Sequence, residues 1–278
     1  MNEQEHTNGQ DQISEHEELT RMISPDVLKM NIFTRFISIL FSPAELMRNI
    51  KTYPVILAPL LICILIGALS IPVSRQWTDM YMQELSHISL EMYGTDLSGW
   101  TYLQAADVYG DLDMAGVVDA LAIATLAIGV VIGPLLAALL AGLGLWILSK
   151  IAKGSSTFGQ MFSAYLHIYT ITAIGALVSY GLTVMTGNFI DMSSLASVLM
   201  PSGNISMPAF NLLSAVSVFS LWAAFLTFVA VKVINNFSSI KAVLITFIAF
   251  AFGVAVHVGT FMFTFIMWDI SARAMGLI

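Results

Sequence analysis

Charge is what this chain has least of. Asp, Glu, Lys and Arg make up 10% of its 278 residues, against about 25% in an average globular protein. Between Asp119 and Asp269 the only charged side chains are Lys150, Lys153, Asp191, Lys232 and Lys241. A soluble globule must present a wetted exterior, so so little charge excludes one. A helical bundle that presents itself to lipid meets no such demand. Cysteine is nearly absent as well. Cys63 stands alone inside an apolar block, which excludes a disulfide within one chain. No nucleophile–base constellation, phosphate loop, metal motif or basic patch is present. The sequence therefore points to no enzyme, no catalytic residue, no cofactor, no metal and no nucleic-acid partner.

Five apolar blocks fill most of the chain, at about 53–73, 122–147, 161–185, 210–231 and 242–267. About 20 helical residues at 1.5 Å each cross a ~30 Å hydrocarbon core, so each block is long enough to span. The second block exceeds one perpendicular crossing and contains Pro134, which predicts tilt and a kink. Orientation follows from the basic residues. With the N-terminus inside, Arg21, Lys29, Arg35, Arg48, Lys51, Lys150, Lys153, Lys232 and Lys241 are cytosolic, and only Arg75 and Arg273 are outside. The acids Asp79, Glu84, Glu91, Asp96, Asp107, Asp111, Asp113, Asp119, Asp191 and Asp269 fall outside too. The expected fold is all-α: a polytopic integral membrane protein with five transmembrane helices, N-in and C-out, in the cytoplasmic (cell inner) membrane. Its bilayer is its first partner.

Residues 1–24 are polar and acidic, without the basic and apolar regions of a signal peptide, and are expected to form a disordered cytosolic tail. Residues 25–52 are expected to form interfacial amphipathic helices. In the first, Asn31, Thr34, Arg35 and Ser38 share one face, and Leu28, Ile32, Phe33, Phe36, Ile37 and Leu40 cover the other. In the second, Ser42-Pro43-Ala44-Glu45 predicts a helix start with Ser42 capping, Pro43 at N1 and Glu45 at N3. The remainder, 53–278, is the membrane domain. Its outer loop, 75–115, carries Trp77, Tyr81, Leu85, Ile88 and Met92 at helical spacing, and Trp100 and Tyr102 as interfacial anchors.

Three stretches carry a family resemblance. The first reads Lys153-Gly154, Thr157-Phe158, Phe162-Ser163 and Tyr165. The second is Phe41-Ser42-Pro43 with Glu45, followed by Tyr53-Pro54. The third is Ser220-Leu221-Trp222, then Asn235-Asn236-Phe237-Ser238-Ser239 and Lys241-Ala242. In this order and spacing they resemble the Yip domain family (Ypt/Rab-interacting-protein-like), in its bacterial form. The resemblance implies a five-helix membrane protein with a cytosolic N-terminus. It implies partner binding in vesicle traffic for eukaryotic members and little beyond residence in the membrane for bacterial ones. The first reading of the chain is a non-enzymatic scaffold or partner-binding subunit. The chain departs from the family in having no proline shortly after Tyr165. It also lacks the acidic motif that eukaryotic members carry before their first helix, which speaks against a Rab-type GTPase partner.

Intramembrane polar residues are the default functional candidates, because they are costly in lipid. His167 and His257 are the ionisable ones. Together with Thr170, Thr172, Ser179, Ser214 and Ser217 they are available to line a path, which would make the protein a small transporter or an accessory subunit of an exporter. Small residues are the other signal. Gly129 and Gly133 form a GxxxG pattern, and Gly175, Ser179 and Gly181 repeat the theme. Such surfaces let helices approach closely, for packing within the chain, self-association or docking of another integral membrane protein. The expected contact residues are Gly129, Gly133, Gly154, Phe158, Tyr165, Gly175 and Trp222.

Overall fold

The computed structural model describes residues 29–73, 76, 114–187, 193–199 and 207–274. The acidic tail and the long-loop residues Trp77, Tyr81, Leu85, Ile88, Met92, Trp100 and Tyr102 lie outside them. The described fold is helical, without a strand; one isolated antiparallel bridge joins Ser194 and Ser217. The helices are α1 (Ile32–Phe41), α2 (Pro43–Thr52), α3 (Leu57–Val73), α4 (Met114–Ile151), α5 (Phe158–Thr186), α6 (Leu195–Leu199), α7 (Met207–Ser214), α8 (Val218–Asn235) and α9 (Ser239–Ala274). Four segments are long and apolar enough to cross a membrane: Ala127–Ile151, Phe158–Thr186, Val218–Asn235 and Ser239–Thr260. The apolar α3 is shorter. The 38 residues of α4 rise about 57 Å, so part of the helix extends past any single bilayer core. It continues through the buried Pro134.

The first helix is inside out by the logic of a soluble protein. Asn31 caps it by accepting from the Thr34 N–H at 2.7 Å. Its buried residues are Arg35, Ser38 and Ile39, while Ile32, Phe33, Ile37, Leu40 and Phe41 are exposed. Polarity turns inward because the protein, not water, supplies hydrogen-bond partners beside a bilayer. The cap expected from Ser42 is not made. Ser42 has φ −142° and ψ 59° and gives no side-chain bond; its carbonyl instead accepts from the Glu45 and Leu46 N–H groups at 3.1 and 3.2 Å. Pro43 still opens α2, where its missing N–H costs nothing.

The second helix is also more than an interfacial strap. Leu46, Met47 and Ile50 are fully buried and join Met161, Ile168, Leu226, Ala230 and Ile234 in one core cluster. That core lies where α2, α5 and α8 meet. The α4–α5 contact is close because Gly142 permits it: a Cβ there would stand 2.9 Å from Phe162 Cα. Gly144, two residues on, faces open space. Gly142→Ala is therefore expected to cost about 1–3 kcal/mol by overpacking. Gly144→Ala should be neutral or stabilising by up to about 1 kcal/mol through helix propensity. Thermal unfolding of the two variants in detergent checks the contrast; equal effects would contradict the packing.

The fourth apolar block differs from its expected form. It is not one helix from Phe210: α7 ends at Ser214 and α8 starts at Val218. The break is specified locally. Ser217 and Ser220 form a capping box, with the Ser220 N–H on Ser217 Oγ (3.1 Å) and the Ser217 N–H on Ser220 Oγ (2.8 Å). Backbone bonds from Leu195 to Val216 (2.9 Å) and from Val218 to Ser193 (3.0 Å) hold the junction against the segment before α6. Hydroxyl-rich turns compete with helix for the same backbone groups, and apolarity alone does not register that.

Candidate functional site

The densest polar construction lies where the α4–α5 linker meets the ends of α2 and α8. Helix α4 closes with the Lys153 N–H on the Lys150 carbonyl (2.9 Å) and the Gly154 N–H on the Ser149 carbonyl (2.7 Å). This is a Schellman end, with Lys153 in the left-handed region at φ 63°. Gly154 follows because nothing larger fits. A Cβ there would overlap Asn235 Oδ1 and lie 2.8 Å from both Phe237 Cζ and the Ser149 carbonyl.

Asn235 ties the linker down. Its Oδ1 accepts from the Ser156 N–H (3.0 Å), and its Nδ2 donates to Ser149 Oγ (3.2 Å) and the Val231 carbonyl (3.1 Å). Thr157 and Gln160 then start α5 with a capping box. Gln160 Nε2 also reaches the Lys51 carbonyl at 2.6 Å. One turn later Ser163 Oγ donates to the Val55 carbonyl (2.7 Å) and accepts from the Val55 N–H (3.0 Å). One short linker thus fixes α2, α4, α5, α8 and the approach to α3. Phe158 is half-buried over this knot, stacked on Phe162 (5.6 Å, 23°) and edge-on to Trp146 (6.3 Å, 77°). Lys232 and Lys241 rim it over the rings of Phe228 and Phe237, each 5.7 Å from the centroid.

A Yip1 domain model matches residues 37–267. The chain belongs to the Yip1 domain family. No curated protein and no solved structure matches it. The match takes in the whole knot and makes this a multi-pass membrane protein of the Yip1 family, in contact with a lipid bilayer.

The remaining candidates fall at separate places in the Yip1 domain. Gly129 is exposed, and among the described residues a Cβ at Gly129 or Gly133 would meet no atom within 4 Å, so they leave that face of α4 uncovered. Gly175 is used internally: its missing side chain receives the ring of Phe219. Tyr165 packs against the core, and Trp222 lies exposed on α8 with its ring 5.2 Å from that of Phe225. His167 is buried on α5, whereas His257 is exposed on α9, and the two do not meet.

Several polar groups along the spans bond within their own helix, while Thr170 also meets Cys63 Sγ of α3 at 3.4 Å and the buried Thr246 hydroxyl of α9 has no partner among the described residues. His167 Nδ1 lies 2.7 Å from the Ser163 carbonyl, one turn back, and so carries the proton. Thr170, Thr183, Thr227 and Thr260 each donate to the carbonyl four residues before them. Ser179 Oγ pairs with Ser193 Oγ at 3.2 Å, Ser217 is spent on its cap, Ser214 is half-buried at the end of α7, and Thr172 is exposed. Among the described residues, no three His, Cys, Asp or Glu side chains come together.

Two residues escaped sequence reasoning. Asn235 reads as part of a polar turn but is a buried bracket, 6% exposed. Arg35 reads as solvent-facing but is 3% exposed. Burial lowers its pKa from the usual arginine value, and the guanidinium remains charged at neutral pH. The signal for both is the same: in a chain whose exterior is lipid, a polar residue on an apolar helix points inward.

Proposed function

We propose that this Yip1-family protein is a non-enzymatic scaffold of the cytoplasmic membrane that binds another integral membrane protein. It spans five times, N-in and C-out, with α3 as the first crossing. At 1.5 Å per residue α3 reaches about 25 Å, within the tolerance of a bilayer that thins around a short span. The basic knot then faces the cytosol and the N-terminal helices lie in the inner leaflet.

One observation supports a scaffold over a transporter. His167, Thr170, Thr183 and Thr227 each bond a carbonyl one turn back in their own helix, Ser179 pairs with Ser193, and His257 lies apart from them on an exposed face of α9. A conduit needs the opposite, polar groups left facing a shared path. The open small-residue face at Gly129 and Gly133 suits close approach by a partner helix, and the rigid knot around Phe158 offers a fixed cytosolic surface.

The test is photocrosslinking in intact membranes, with a photoreactive residue at Phe158 in one variant and at Gly133 in another. The expected result is one specific membrane protein captured at both positions, with capture at position 158 lost on Gly133→Leu. Capture of nothing but lipid or the chain itself at both positions would overturn the scaffold reading and favour the alternative of a small transporter.

A further inference from the structure

Arg35 is a buried cation without a counter-ion among the described residues. Its Nη2 donates to Asn49 Oδ1 (2.5 Å) and the Tyr53 carbonyl (3.0 Å), and its Nε to the Met30 carbonyl (3.3 Å). All of these acceptors are neutral. Nη1 is buried and has no partner among the described residues. A buried charge held only by neutral dipoles is expensive, and an unsatisfied donor on it adds to the cost. Such an arrangement is stable when an anion completes it.

The surroundings say what kind of anion fits. Arg35 lines a cleft between α1, the start of α3 and α5, whose other walls include Phe36, Ile39, Ala58, Ile62, His167 and Thr170. The cleft has room for about one water-sized sphere, enough for a single oxygen to reach the guanidinium. Its walls are mostly aliphatic or aromatic. Beside it, α1 exposes Ile32, Phe33, Ile37, Leu40 and Phe41, so the approach is over an apolar surface. Neither polar wall residue makes a hydrogen bond to Nη1. Thr170 Oγ1 donates to the Leu166 carbonyl, and His167 spends its Nδ1 proton on Ser163. The recognition element is thus one guanidinium donor at the head of an apolar track, which matches a molecule carrying an oxyanion on acyl chains.

We propose that Arg35 binds, in this cleft, a phosphate oxygen of a membrane phospholipid whose acyl chains lie over the exposed apolar face of α1. A guanidinium–phosphate bond is charge-assisted and directional. The bound lipid would pin α1 to α3 and α5 and satisfy the free donor. Arg35 lies just ahead of the residues that match the Yip1 domain.

The experiment is native mass spectrometry of the full chain in detergent, titrated with phosphatidylglycerol. Diacylglycerol with the same chains is the phosphate-free control, and inorganic phosphate is the competitor. Arg35→Gln removes the charge. Ala58→Leu fills the cleft and leaves Arg35 in place, so it decides the matter even where Arg35→Gln misfolds by circular dichroism. The expected result is one retained phosphatidylglycerol, with affinity at least about tenfold above diacylglycerol and falling about tenfold in each folded variant. Affinity within about twofold of the original chain in Ala58→Leu would overturn the proposal and leave a bridging water as the occupant. Displacement by millimolar inorganic phosphate would also overturn it, by showing a site for a free anion.

Discussion

Asn235→Ala is expected to lower the melting temperature of the detergent-solubilised protein by about 6–12 °C, the largest loss from any single side chain outside the apolar core. The estimate follows from what the truncation strands. Ser156 loses the acceptor for its buried N–H, and Ser149 loses the donor to its buried hydroxyl. A buried polar group left unsatisfied costs about 1–3 kcal/mol, so the pair costs about 3 kcal/mol. In a chain of this size each kcal/mol moves the midpoint by about 2–4 °C. Gly154→Ala should cost about 2 kcal/mol by itself, since the new methyl meets Asn235 Oδ1, Phe237 and the Ser149 carbonyl at once. The two losses should not add. Removing the Asn235 amide clears one of the three obstacles, so the double variant should be about 1 kcal/mol better than the sum. Thermal unfolding of the four chains measures the coupling. Strict additivity would mean that the new methyl strikes Phe237 and the Ser149 carbonyl but not the Asn235 amide.

The fold was legible where one physical force acts alone. Long charge-free blocks can sit only in lipid, and the helices over Ala127–Ile151, Phe158–Thr186, Val218–Asn235 and Ser239–Thr260 follow from that. The family likeness was legible because Gly154, Thr157, Phe158, Ser163 and Asn235 each answer a separate demand of one knot, in a fixed order. Legibility failed where two forces compete. The Ala215–Ser217 break is set by hydroxyl caps and cross-segment backbone bonds, inside a block that hydropathy treats as uniform. The inward turn of Arg35 depends on Asn49 and the Tyr53 carbonyl arriving from α2 and its C-terminal end, and no single-helix pattern contains that information. Gly175 and Gly133 look alike in sequence, yet one receives Phe219 and the other meets nothing among the described residues. Which small residue is filled from within the chain depends on the partner helix.

The largest all-or-none contrast is expected in thiol accessibility, which tests the five-span arrangement and the closed interior together. In a chain carrying Cys63→Ser, single cysteines would be placed at Lys153, His167 and Asp191. Each would be treated with a membrane-impermeant maleimide, on intact cells and on inverted vesicles. Lys153 is exposed on the linker and flanked by basic residues, which the positive-inside rule expects on the cytosolic side. Asp191 belongs to the segment between α5 and α6, which five spans place outside. His167 is 5% exposed, and the adjoining cleft admits a water but not a maleimide. Lys153→Cys should therefore react only in inverted vesicles, Asp191→Cys only on intact cells, and His167→Cys in neither. Reaction of His167→Cys at a rate comparable to either surface position would reveal a water-filled path and contradict a packed scaffold; reaction of Lys153→Cys from outside would contradict the orientation.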